Sequence, residues 1–163
     1  MDEVDRILHA WDREAPDLDV SPLSVLSRVT RLARHLDFAR KESFATHGLD
    51  VWEFDVLAAL RREGAPYELS PGQLIQQTLS TSGTMTNRID RLAARGLVER
   101  LPDPRDRRGV RVRLLPKGRD AVEHALGDLL VREQHILGVL NPDERAATAD
   151  LLRRLVAPFE ASA

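Results

Sequence analysis

Four side chains near the middle of this 163-residue sequence have the types and spacing to read base edges: Ser82, Thr84, Asn87 and Arg91. With Met85 at zero on a helical wheel, Ile89 and Leu92 fall within about 40° of it. Gly83, Thr84, Asn87, Arg91 and Ala94 take the opposite side. Asn and Arg bond base edges bidentately, and small neighbours let such a face enter a major groove. A little farther on, Arg105, Arg107 and Arg108 cluster with reach for phosphates or a narrow minor groove. On a bare loop that run would be a solvated charge cluster. Behind a groove-facing helix it gains a ligand.

These groups need a frame, and the spacing predicts one. Ser70-Pro71 reads as a helix start, a Ser cap with Pro at the first helical position. A short helix over 72–77 ends at Thr78-Leu79, and Ser80 is expected to cap a longer helix that closes at Gly96, a residue suited to a left-handed C′ position. Strands are expected over 97–101 and 110–115, joined by a loop at 102–109. Helix, turn, helix and basic hairpin in that order make a winged helix, a geometry that docks on double-stranded DNA.

Charge is distributed to match. The net charge is −2, but residues 80–113 hold nine arginines against four acids, a local +5, leaving −7 elsewhere. A basic island on an acidic body suits phosphate contact with limited nonspecific binding. With no cysteine, disulfides and thiolate metal sites are excluded. No apolar run reaches membrane-spanning length, and an N-terminus with Asp2, Glu3 and Asp5 is too acidic for a signal peptide, so no membrane partner and a cytoplasmic location are expected. There is no nucleophile–base pair, phosphate loop or recognisable carboxylate pair, which argues against an enzyme. The five histidines are scattered, so neither a zinc site nor any cofactor is expected.

The flanks read as helices. Val4, Ile7, Leu8 and Trp11 recur at helical spacing over 2–14, and Pro16 ends that helix. A long helix runs from Ser21-Pro22 to about His47, stopped by Gly48. Asp50 caps a third helix through Glu63, with a connector over 64–69 and a very short strand at 67–69. After a turn at 116–118, a helix covers 119–139, and Asn141-Pro142 opens the last one with Leu151, Leu152, Leu155, Val156 and Phe159. These outer helices carry more apolar surface than a small winged helix can cover, the mark of a homodimer. The expected fold is mainly α with a small β-hairpin wing: a winged helix-turn-helix over 49–118, with dimerisation helices over 1–48 and 119–163.

Two charged residues stand out from this plan. Arg88 lies at the border of core and groove faces, pointing to the seam between the reading helix and the dimer layer. Asp55 sits in a helix that is apolar on nearly every side and needs a cationic or hydrogen-bonding partner. From the residues alone, these two could be an ion pair, Trp11 could be packing, and Arg100 could touch the DNA backbone.

The run Ser82-Gly83-Thr84-Met85-Thr86-Asn87-Arg88-Ile89-Asp90-Arg91-Leu92, then Gly96-Leu97-Val98-Glu99-Arg100 and the wing Asp103-Pro104-Arg105-Asp106-Arg107-Arg108, resembles the MarR family of bacterial transcription regulators. The resemblance covers about 21–160 and implies a triangular homodimer on a pseudopalindrome. The added first helix and the segment 11–19 are similar to the urate-responsive, PecS/HucR-like branch. Trp11, Asp55, Arg88 and Arg100 match that branch's ligand set in order. The resemblance thus implies a repressor released by a small anionic effector, urate first. A citrate- or aconitate-like anion or a phenolic acid is the alternative, and a ligand-independent DNA-binding protein the other class. A flat anionic heterocycle wants a stacking face, Arg donors and an Asp accepting a ring N–H.

Overall fold

The computed structural model describes residues 1–78 and 80–160, apart from the side chains of Arg107 and Arg108. Among the described residues, seven α-helices and three strands follow in the order α1 (Glu3–Glu14), α2 (Leu23–Ala45), α3 (Val51–Glu63), β1 (Glu68–Leu69), α4 (Pro71–Thr78), α5 (Ser82–Ala94), β2 (Val98–Asp103), β3 (Asp106–Leu114), α6 (Pro116–Ile136) and α7 (Pro142–Glu160). A single 3₁₀ turn, Leu137–Val139, separates α6 from α7. The strands form one antiparallel sheet in the order β1-β3-β2.

Local chemistry explains the helix starts. Asp2, Asp50, Ser70 and Asn141 each bond the backbone N–H three residues on, and a side chain there bonds back, closing four capping boxes. Gly48 (φ 67°) and Gly96 (φ 69°) end α2 and α5 in the left-handed region, which costs a glycine little.

The core sits under the reading unit. Phe44, Leu57, Leu60, Leu69, Leu74, Met85, Ile89 and Leu92 are fully buried where α3, α4, α5 and the sheet converge. Above this body α2 packs on α6 and α1 on α2. Arg28 of α2 fastens α1 by donating to Asp2 (2.9 Å) and Asp5 (2.6 Å). No residue of α7 is buried within the chain.

Three local expectations are corrected. The wing loop is much shorter than 102–109, because β2 and β3 stay paired to Asp103↔Asp106. Gly109 permits this: a Cβ there would lie 2.8 Å from the Asp103 Cβ. The remaining turn is held by the Asp103 carboxylate, which accepts from the Arg105 N–H at 2.9 Å. Secondly, Pro116-Lys117-Gly118 is the first turn of α6 and not a separate turn. Gly118 is there for close approach, since a Cβ would fall 2.3 Å from the Leu97 carbonyl oxygen. Thirdly, Thr81 and not Ser80 is the N-cap of α5, and Leu79 lies outside the described residues.

Candidate DNA-reading face and adjoining recess

The buried stripe of α5 is Met85, Ile89 and Leu92. Its polar side is accordingly turned outward, and Ser82, Thr84, Asn87 and Arg91 are all exposed. Thr84, Asn87 and Arg91 line an open groove of about 480 Å³ together with Gly83, Arg88 and Trp52 of α3. Arg105 is exposed at the tip of the wing. Arg107 and Arg108 belong to β3, with side chains outside the described part.

The local +5 shrinks, because among the described side chains four arginines are tied to carboxylates. Arg95 donates to both oxygens of Glu53 at 2.6 Å and to the Gly48 carbonyl, locking the end of α5 to the start of α3. Glu53 is 2% exposed, a buried carboxylate whose charge this contact and its N-cap bond satisfy. Arg113 binds Glu68 and Glu99, and Arg111 reaches the Glu68 carboxylate at 3.8 Å and its carbonyl at 3.3 Å. Arg100 donates to Asp90 at 2.7 Å and to the Thr86 carbonyl. Those four build the wing and its seat.

Behind the groove lies a second open recess of about 560 Å³, bordered by α2, α3 and the α4–α5 turn. Asp55, Arg88, Trp52, Lys41, Thr78 and Ser80 line it, with Asp50 and Val51. Asp55 and Arg88 therefore share a cavity, but they do not pair. The Asp55 carboxylate accepts from Arg40 of α2 at 2.9 Å, so the Asp55–Arg88 ion pair is replaced by one across the α2–α3 contact. Arg40 also lies over Phe44 and Phe54, whose rings stack at 3.9 Å. Arg88 donates to Ser80 Oγ at 3.1 Å and lies 5.3 Å above the Trp52 ring. Neither Trp11 nor Arg100 lines this recess; Trp11 stands on α1, 46% exposed.

Arg40, Lys41, Trp52 and Ser80 were missed in the sequence. Only Trp52 left a signal there: it precedes Asp55 by three residues and so shares its side of α3.

A two-helix reading unit with a β-wing and an outward Thr–Asn–Arg face is the arrangement of a winged-helix DNA-binding protein. Comparison with known proteins agrees. The MarR family's sequence profile matches residues 47–109. The chain is similar to the HTH-type transcriptional regulator PecS of Dickeya dadantii (35% identity over 94% of this chain and 92% of that one). It also resembles the structure of Bordetella bronchiseptica BpsR, whose DNA binding is regulated by 6-hydroxynicotinic acid (33% identity, TM-score 0.67, 80% and 91% of the two chains). Apo MarR of E. coli shares the fold at 26% identity and TM-score 0.69, over 81% and 96%. The chain belongs to the MarR family, on its PecS-like branch, and is a transcription regulator rather than an enzyme. Among the described residues no helix is long and apolar enough to cross a membrane.

Proposed function

We propose that the chain is a repressor that binds a pseudopalindromic operator as a homodimer and is released by a small planar anion, with urate as the effector. Ser82, Thr84, Asn87 and Arg91 face the bases, and Arg105, Arg107 and Arg108 take phosphates or the minor groove. The observation carrying the effector half is the recess, where Arg88 of the reading helix, Lys41 and an aromatic face meet Asp55. Cations there suit a negative charge, the indole suits a flat ring, and the carboxylate can accept a ring N–H. Trp11 and Arg100 join the proposed site through the family resemblance.

The dimer is supported by surface left bare. Val25, Leu26, Val29 and Leu32 of α2 and Leu151, Leu152, Leu155, Val156 and Phe159 of α7 are all exposed, a patch far larger than isolated surface apolars. Effector binding must favour the DNA-incompetent state to release the operator, since equal affinity for both states shifts nothing.

A second heterocycle has a specific observation behind it. BpsR responds to 6-hydroxynicotinic acid, a planar anion whose carboxylate the Arg88 and Lys41 donors would bind and whose ring N–H the Asp55 carboxylate would accept. Gel shifts and calorimetry with urate, 6-hydroxynicotinate and citrate separate the candidates. Urate is expected to bind and release the duplex, with Arg88→Ala and Trp11→Ala still binding DNA but responding weakly, and Arg100→Ala impaired in both. No heat with urate, while another of the three binds and releases DNA, reassigns the effector. If no anion acts, Asp55, Arg88, Trp11 and Arg100 are structural.

A further inference from the structure

The two cavities share a wall. Trp52 and Arg88 line both the groove in front of α5 and the recess behind it. The Trp52 indole carries two guanidiniums, Arg88 at 5.3 Å and Arg91 at 4.9 Å from its ring centroid. Arg88 and Arg91 lie one turn apart on α5, so a single ring at the start of α3 takes both. Arg91 faces the groove, whereas Arg88 is half-buried and anchored to Ser80 on the recess side.

We propose that Trp52 is a positioning residue for DNA reading: its indole holds Arg91 in the pose that meets a base edge, and the recess acts on that pose through the shared Arg88. An arginine free in solvent loses much side-chain entropy when it is fixed against a base, and a guanidinium already stacked on an indole has lost part of it beforehand. The ring's negative face holds the cation without using the N–H fork that a guanine would accept. Two cations on one ring also repel each other. An anion that draws Arg88 into the recess leaves Arg91 alone with the indole, and the balance that sets its pose changes. This second half rests on the proposed effector site; the first does not.

The test is a double-mutant cycle on the full chain, using an operator duplex selected in vitro and a scrambled duplex of equal length. One cation–π contact is worth about 0.5–1 kcal/mol, or roughly a two- to fivefold change in Kd. Trp52→Leu is therefore expected to lose about that factor on operator, with unchanged affinity and salt slope on the scrambled duplex. Trp52→Phe, which keeps a weaker π face, should recover part of the loss. In an Arg91→Ala background, Trp52→Leu should cost nothing further. Additive losses, or equal losses on both duplexes, would overturn the positioning role, because a residue that merely packs α3 has no reason to act through Arg91. For the second half, urate is titrated against the operator complex of each variant. The coupling predicts that at saturating urate the shift in operator affinity is smaller in Trp52→Leu than in the parent, whereas loss of the indole as a stacking face alone moves the titration midpoint and leaves the saturating shift intact. An equal shift refutes the coupling while the effector reading stands. No shift in the parent sinks the effector reading and the coupling with it, and leaves the cycle result intact.

Discussion

Leu155→Asp should dissociate the proposed dimer while leaving the chain's own core untouched. Leu155 is 48% exposed on α7, a helix with nothing buried, and it borders an open cleft of about 410 Å³ together with Val25 of α2 and Leu151. Fully burying a leucine is worth about 1.5–3 kcal/mol, so covering the exposed half contributes roughly 1 kcal/mol per copy. A carboxylate set into a largely apolar cleft, where Arg154 is the donor beside it, adds a penalty of about 1–3 kcal/mol per copy. A two-fold dimer carries the change twice, so association should weaken by about 4–8 kcal/mol, roughly a thousandfold or more in Kd. Sedimentation velocity from nanomolar to high micromolar chain would show a monomer where the parent is dimeric. Circular dichroism would then tell whether that monomer stays folded. A Leu155→Asp chain that sediments with the parent at every concentration would refute the reasoning and place the interface elsewhere.

Arg105→Ala should weaken all duplexes alike and flatten the salt slope by about one unit, whereas Arg91→Ala or Asn87→Ala should relax specificity by about 1–3 kcal/mol per lost base contact, both read by anisotropy across salt concentrations. Arg95→Ala strips Glu53 of its cation; Arg95 is partly exposed, so the expected loss is about 2 kcal/mol, or roughly 4–8 °C in Tm by calorimetry. Gly118→Ala should force α6 away from the Leu97 carbonyl and lower Tm without altering the DNA-contacting side chains. Hydrogen bonds from Arg28 and then the Asp5 N–H hold the Asp2 carboxyl below its ordinary 3.8, while the Asp2 N–H and then Arg28 do the same for Asp5. Folded values below unfolded ones mean the contribution is present above pH 3.8 and lost as pH falls through the lowered values. Trp11 emission should report α1 loosening in that acid range, and Arg28→Ala should show the loosened signal already at neutral pH.

Where the sequence was legible, a short-range rule fixed the outcome. Helical periodicity placed Met85, Ile89 and Leu92 inside and the Thr–Asn–Arg side out. Capping chemistry at Asp50, Ser70 and Asn141 located three helix starts within a residue. Two of the three local errors came from glycines read as punctuation. Gly109 and Gly118 both look like loop residues in one dimension, yet each serves a close approach, of Asp103 in the wing and of the Leu97 carbonyl under α6. Which backbone will pass beside a glycine is settled by tertiary packing, and neighbouring residues do not encode it.

The charges follow the same division. That Asp55 needed a cation was legible from its apolar surroundings; that the cation is Arg40 was not, because the α2–α3 contact that brings them together has no local signature. Counting arginines likewise overstated the DNA-facing charge, since Arg95, Arg100, Arg111 and Arg113 find carboxylates on other elements. The consequence reaches function. The guanidiniums that hold the wing and the α5–α3 seat are fixed by ion pairs inside the fold, whereas Arg88 and Arg91 are held by an indole and a hydroxyl. A cation held by a π face and a neutral oxygen can be drawn off by an anion at far lower cost than one paired to a buried carboxylate. Under the proposed effector site, Arg88 in the recess and its neighbour Arg91 are thus guanidiniums that a small anion would move at lower cost than the paired ones.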